Sequence, residues 1–498
     1  MSQIKQLASQ TAIYGFSSII ARFINFFFVP IYTRMLSPGN YGLASELLAY
    51  IALLQVVLTF GLETGYFRFA NKEKDKAGIL FSTAMTWLLL TSGVFLVFVF
   101  LLSGQIGSSM GHPAIYLKYV ALILSIDCFT AIFFAKLRFD NKAWLFAVYK
   151  SIKIFSEVGF NIALFFWAPS WLAKHPDSFF LKLIPALPDY GYILLAILLS
   201  GVVSLVLFLP QILRTPIRFA SEQWKNLLVY SLPLMIAGLP GVANDYVDRI
   251  LFRYFSPTTS PWLDQLGIYS AVMKLAVIIT LFVQMFRYAA EPFFFASAEK
   301  TNMKKIYADV MKYFVAFCMF LFLGIVFYAD LFALILGEDF RGQMGVLPIV
   351  LLANILLGVS FNLSMWYKLS EHTRYAIYIT VLGLVITVLL DVLFMPLYGC
   401  YAAAWSRLLS YVVMIIVSYV LSLRYYPIPY NLKAIFVYFA VGLGLFGISD
   451  LLMHQSIWLR LSVNTVLLGM YLLFIIRFER INPGAMLVRM LKNPGKEK

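Results

Sequence analysis

Apolar stretches of helix-spanning length recur along nearly the whole sequence. They fall at 8–31, 42–67, 79–103, 114–135, 144–168, 190–210, 227–247, 266–289, 313–336, 346–367, 375–395, 400–422, 433–453 and 457–476. A helix needs roughly 20 apolar residues to cross a bilayer. Backbone groups find no water there and must bond within the segment. The expected fold is therefore an all-α integral membrane protein of about 14 transmembrane helices. The chain is 61% hydrophobic and 13% charged, whereas a soluble domain carries about 25% charged residues. The spans leave little of the 498 residues for a soluble domain. The first stretch is too long for a signal-peptide core and lacks a small-residue cleavage end, so it is expected to remain as a helix.

The net charge is +15. A nucleic-acid partner does not fit, because the basic residues are scattered through short connections and form no groove-binding run. They alternate by side instead. One set of connections carries Lys5, Arg68, Lys72, Lys74, Lys76, Lys136, Arg138, Lys142, Arg214, Arg218, Lys225, Lys300, Lys304, Lys305, Lys312, Lys368, Arg374, Arg424, Lys433 and the tail. The other carries Arg34, Lys174, Lys182, Arg249, Arg253 and Arg341. The positive-inside rule then places both termini in the cytoplasm. The longest opposite connection, about 169–190, reads as an interfacial segment, too small for an external catalytic domain.

Sequence motifs for catalysis are missing. There is no Walker A, HExxH, GxSxG or kinase pattern. Cys128, Cys318 and Cys400 make no CxxC, so neither a disulfide nor a metal site is expected. His112, His175, His372 and His454 are dispersed at loops and helix ends and read as solvated. The chain is expected not to be an enzyme.

A weak internal repeat is present. One offset sets Tyr41 on Tyr269, Glu46 on Lys274, Leu47 on Leu275 and Glu63 on Glu291; a slightly shorter one sets Arg34 on Arg253, Ser37 on Ser256 and Pro38 on Pro257. Helices one and two thus correspond to seven and eight. Six helices separate the partners, so the halves have the same orientation, a transporter plan with the site at their interface. The expected division is a six-helix lobe over 1–225, a second over 226–424, and two extra helices with a basic tail over 425–498.

A charge at the bilayer centre costs about 2.5–3.5 kcal/mol, so charges inside spans mark function. The candidates are Arg22 in helix one; Glu46 and Glu63 in two; Asp127 in four; Lys150, Lys153 and Glu157 in five; Asp245 and Asp248 in seven; Lys274 and Arg287 in eight; and Asp391 and Arg407 in eleven and twelve. Plainer roles exist for some. Lys150 and Arg287 can snorkel, Asp391 and Asp330 can be solvated near helix ends, Asp248 and Arg249 can pair at the interface, and Lys153 can pair with Glu157 at i,i+4. Arg22 and Lys274 lie well inside their spans with no acid one turn away. Arg22 shares a polar stripe with Tyr14, Ser18 and Asn25. Converging cations need an anion to neutralise them, and the arginine fork suits phosphate. A phosphate-bearing lipid head group fits as cargo, with Lys153 a further ligand. The acids Glu46, Glu63, Asp127 and Asp245 are candidates for coupling or gating. Gly15 in helix one, and Pro233, Gly238, Pro240 and Gly241 in helix seven, are candidate hinges, since proline breaks the helical ladder.

Three stretches carry a resemblance. PIYTRMLSPGNYG at 30–42, DRILFRYF at 248–255 with LGIYSAVMKLA at 266–276, and PLYGCYAAAWSRLLSY at 396–411 resemble signatures of the polysaccharide and O-antigen flippases. That family belongs to the multidrug/oligosaccharidyl-lipid/polysaccharide exporter superfamily. The resemblance implies alternating access between two six-helix lobes. The implied cargo is an undecaprenyl-diphosphate-linked oligosaccharide, the repeat unit of an O-antigen, capsule or exopolysaccharide, carried across the bacterial inner membrane. It implies a cationic cavity to which Arg22, Arg34, Lys274 and Arg287 correspond by position. No metal or organic cofactor is expected; a proton or Na⁺ would serve as coupling ion. Membrane lipids and the polymerase and ligase of the same pathway are the expected partners. Relatives that flip the peptidoglycan precursor use two extra C-terminal helices as a lipid-tail groove. The chain departs from the pattern by setting Glu46 opposite Lys274. The alternatives are a multidrug or cation antiporter of the same fold and a lipid-linked peptidoglycan precursor flippase.

Overall fold

A computed structural model of the chain describes residues 23–24, 26–185, 187–257, 261–296, 303–452 and 455–480. The regular elements among them are all helical. A short helix α1, Val29–Met35, ends the first apolar stretch. The spans that follow are α2 (Pro38–Lys72), α3 (Lys74–Met110), α4 (Ala114–Phe139), α5 (Ala143–Lys174), α6 (Tyr190–Arg214) and α7 (Ser221–Phe255). Next come α8 (Trp262–Leu275 and Val277–Ala296), α9 (Met303–Phe327), α10 (Glu338–Leu369), α11 (Arg374–Tyr398), α12 (Cys400–Tyr425), α13 (Leu432–Asp450) and α14 (Ile457–Phe478). Twelve of these are long and apolar enough to cross a membrane, and α8, bent by 47° at its break, makes thirteen. They coincide one for one with the second to fourteenth apolar stretches. Most of the first stretch, with Gly15 and Arg22, lies outside the described residues, so the expected fourteenth span is not described.

Local chemistry explains the helix boundaries. Ser37 caps α2, its hydroxyl accepting from Asn40 N at 3.3 Å with Pro38 at the first turn, an arrangement that satisfies an orphan donor. Midway, α2 is interrupted where Phe60 (φ 51°) and Gly61 (φ 65°) are both left-handed. In α5 a π turn, Ala163–Trp167, precedes Pro169. Such turns commonly mark functional helices. Apolar side chains such as Leu90, Val94, Val97, Phe98 and Leu101 of α3 point outward, as a hydrocarbon solvent requires.

The two halves meet where α2 crosses α8. A Cβ on Gly42 would strike the Leu263 carbonyl, and one on Gly267 the Pro38 carbonyl. Only glycine permits that approach. The helix α7 belongs to both halves. Its first part packs on α2 and α3: Trp224 tilts against Trp87 with ring centres 4.9 Å apart, and the Arg68 guanidinium lies 4.1 Å over the Tyr230 ring. Beyond Pro233, Gly238, Pro240 and Gly241 its second part bonds to α8, α11 and α12. Pro233 is exposed and Pro240 buried.

The pair α13 and α14 is fastened to α9 at both ends. Asn464 donates to the Phe327 carbonyl at 2.8 Å and accepts from Ser449 at 2.7 Å. At the other end Lys312 donates to Glu479 at 2.6 Å, and Tyr438 donates to the same carboxylate.

Candidate functional site

Charged side chains inside the spans gather into three groups. The first closes the face opposite the basic loops. Glu46, in the third turn of α2, is fully buried. Arg253, at the end of α7, donates to it from both Nε (2.5 Å) and Nη2 (2.7 Å), and Nη2 also donates to the Met110 carbonyl at 2.7 Å. Gly111, left-handed at φ 64°, ends α3 and turns His112 inward. His112 Nε2 lies 3.3 Å from Glu46 Oε2, and Nδ1 lies 2.9 Å from the Tyr190 hydroxyl. This corrects the reading of His112 as solvated: it is 4% exposed, because the turn after α3 folds it beneath the Glu46 carboxylate. Asp189 caps α6 and helps hold Tyr190 in place. Its carboxyl accepts from Tyr116 at 2.5 Å and from Gly191 N at 2.9 Å. Burial pushes that carboxyl above the usual range, with the two hydrogen bonds opposing.

Arg34 belongs to the same closure. It donates to the Leu334 (2.8 Å) and Ile335 (3.3 Å) carbonyls, and its neighbour Thr33 accepts from Gly337 N at 2.9 Å. Arg34, a candidate for the cationic cavity, thus meets bare carbonyls just past the short helix Ala329–Ala333. Arg34 and Arg253, partners in the repeat, thus each reach across to the other half.

The second group lies in α2, α4 and α5, toward the basic loops. Lys153 donates to Asp127 at 2.5 Å, and Arg138 donates to Glu63 at 2.9 Å. Lys150 stands between the two pairs, within electrostatic reach of all four groups, its ammonium 4.9 Å over the Phe134 ring. Lys153 therefore pairs across helices with Asp127, not along its own helix with Glu157. Glu157 lies within electrostatic reach of Lys153 and, across the halves, of Lys274 of α8. Lys274 is exposed on the inner part of α8. Arg287, farther along α8, is not in this group; its guanidinium stacks 4.9 Å over Phe361 of α10. Arg138 was counted with the loop cations in the sequence. Its pairing with Glu63 had no signal there, since hydropathy places helices but not their neighbours.

The third group is buried among α7, α8, α11 and α12. Tyr269 donates to Asp248 at 2.7 Å, Tyr411 to Asp245 at 3.0 Å, and Thr387 to Asn244 at 2.6 Å. Arg407, 5% exposed, donates to the Asp245 carbonyl at 2.5 Å and lies 3.7 Å from Asp248. Arg249 does not pair with Asp248 through its side chain; it donates to the Asp245 carbonyl at 3.2 Å. Asp391, expected to be solvated near the end of its span, has no exposure at all, because α7 and α12 pack over it.

This arrangement can hold one face shut through cross-half charge pairs while keeping basic side chains on the other side with exchangeable acidic partners. Among the described residues no three potential metal ligands come together.

Comparison with known proteins gives the same architecture. The structure of the lipid II flippase MurJ in an inward closed conformation superposes with a TM-score of 0.68 at 12% identity, over 93% of this chain and 98% of that one. An inward-facing multidrug resistance MATE family transporter of the MOP superfamily superposes with a TM-score of 0.58 at 14% identity, over 80% and 97%. In sequence, Lsg locus putative protein 1 of Haemophilus influenzae is 22% identical over 348 residues, 67% of this chain and 77% of that protein. The family described as polysaccharide biosynthesis protein matches residues 7–298, more than half of the chain. The chain therefore belongs to the polysaccharide biosynthesis protein family.

Proposed function

We propose that this chain is a flippase that carries a lipid-diphosphate-linked oligosaccharide across a bacterial plasma membrane by alternating access. The observation that carries the reading is the second charge group. Arg138, Lys150 and Lys153 gather around Glu63 and Asp127, and Glu157 lies within reach of both Lys153 and Lys274, beneath a face closed by Glu46 and Arg253. A diphosphate entering there exchanges the carboxylate partners of Arg138 and Lys153 for its own oxygens, which match the arginine fork. Unpaired cations are not left behind when the cargo departs, because Asp127 and Glu63 take them back.

In this reading the basic loops face the cytoplasm, following the positive-inside rule. Residues 1–225 and 226–424 form the two lobes, with 425–498 added to the second. Lys274 completes the cationic site, Pro233 and Pro240 give the hinge, and the polymerase and ligase of the same pathway receive the cargo; Arg22, the other cation expected there, lies outside the described residues. A lipid-linked peptidoglycan precursor is the second reading, favoured by the superposition on MurJ over nearly the full length of both chains.

The test is reconstitution in liposomes with three cargoes: a polyprenyl-diphosphate oligosaccharide, a polyprenyl-diphosphate peptidoglycan precursor and an apolar cationic drug. Flipping of the first, lost in Lys153→Ala and Lys274→Ala, is the expected result. Movement of the drug alone would overturn the proposal.

A further inference from the structure

Asp391 is an anomaly among the buried carboxyls of this chain. It lies within the span α11 with 0% exposure, and neither Oδ atom completes a hydrogen bond. The acids around it are all engaged. Asp248 accepts from Tyr269 and from the Arg249 amide at 2.8 Å, and Asp245 accepts from Tyr411. The charged and titratable groups facing this region are Asp245, Asp248 and Arg249 from α7, Arg407 and Tyr411 from α12, and Tyr269 from α8 by way of Asp248. Among the described residues Arg407 is the one guanidinium in reach of Asp391; its Nη2 donates to the Asp245 carbonyl and lies 3.7 Å from Asp248, while its Nε completes no hydrogen bond. Ser406 stands beside Asp391 without completing the bond. An ionised carboxylate there would sit in a low-dielectric site beside the carboxylate of Asp248, with Arg407, among the described residues, the one cation in reach.

We propose that Asp391 is a proton-binding site of the second half, occupied in the conformer described. The proton is taken from water, held on one Oδ as a neutral acid, and returned to water when the site opens. Its loss leaves a carboxylate that competes with Asp248 for Arg407. That competition acts on α7, because Arg407 reaches α7 through the Asp245 carbonyl. Two turns farther along, the same helix carries Arg253, the cation of the clamp on Glu46. Proton occupancy at Asp391 is thereby linked to closure of the opposite face. This linkage deepens the flippase reading and rests on it for its transport consequence; the proton site itself does not.

The test separates the two. The full-length protein in lipid nanodiscs is titrated while infrared difference spectra report protonated carboxyl groups. The wild type is expected to show a protonated-carboxyl C=O band that Asp391→Asn lacks and that Asp391→Glu retains at a shifted position. Proton release on alkalinisation, read with an indicator dye, is expected to fall by one proton per chain in Asp391→Asn. An unchanged spectrum and proton count in Asp391→Asn would overturn the proposal. So would loss of the band on adding Na⁺ at constant pH, since the occupant would then be sodium. If the proton is found but no lipid-linked sugar moves in liposomes, the flippase reading fails and the proton site stands.

Discussion

The guanidinium of Arg253 crosses from the second half of the chain to hold both carboxylate oxygens of Glu46 in the first half. Two charge-assisted bonds in a buried site fix orientation as well as energy. Removing one partner strands a buried charge, at a cost of about 3–5 kcal/mol. Arg253→Met is therefore expected to open the face opposite the basic loops. A cysteine placed one turn deeper, Tyr50→Cys, should then react faster with a membrane-impermeant maleimide added from that side. Equal labelling rates with and without Arg253→Met would show that the pair does not close this face.

Lys153 and Asp127 make a pair in which each member has a separate fate. Asp127→Asn leaves Lys153 beside Lys150 with only Glu157 within electrostatic reach, and the midpoint of thermal unfolding in detergent is expected to fall. Lys153→Met removes the cation, and flipping of a diphosphate cargo is expected to be lost. The double variant is expected to recover the unfolding midpoint but not the flipping. Recovery of both would assign the pair a structural role alone.

Pro240 interrupts the ladder of α7 between the part packed on α2 and α3 through Trp224 and Tyr230 and the part bonded to α8, α11 and α12. Proline within a helix costs about 3 kcal/mol or more. Pro240→Ala is expected to raise the thermal midpoint and to slow transport several-fold. Faster or unchanged transport in a stabilised variant would remove this residue from the hinge.

Glu479 sits just past the end of α14, outside the spans. Burial works against its ionisation, but hydrogen bonds from Lys312 and Tyr438 and the charge of Lys312 outweigh burial and hold the carboxyl below its ordinary value of 4.5. A depressed carboxyl contributes stability above the unfolded value, and that contribution is lost as pH falls through the folded one. Attachment of α14 to α9 is thus expected to be firm at neutral pH and to loosen in acid below about pH 4.5. Hydrogen exchange along α14 should increase in acid in the wild type. Glu479→Gln should show that higher exchange already at pH 7 and little further pH dependence.

The spans were legible in the sequence because hydropathy is a local property. Each of the stretches from 42–67 to 457–476 became a helix, and the repeat aligned Arg34 with Arg253 before either partner was visible. The contacts were not legible. Lys153 and Asp127 lie on different helices, as do Arg138 and Glu63, and nothing in the chain states which face of α4 turns toward α5. His112 and Asp391 were read as solvated because both lie near helix ends. Depth along the chain is not depth in the protein: the turn after α3 buries the first, and α7 and α12 cover the second. Arg22 and Gly15 fall outside the described residues, so the structure does not describe their surroundings.

Because α7 packs on both sides of its proline break, the choice of junction decides what a chimera keeps together. A chimera joined to a relative in the loop before Ser221 would bring a foreign first part of α7 against the native Trp87 and Arg68. One joined within Pro233–Gly241 would keep the first part with Trp87 and Arg68 and leave the contacts of Arg253 with Glu46 and Met110 as the ones to be matched across the junction. Grafting of whole halves to change cargo preference should therefore succeed at the proline break and fail at the loop.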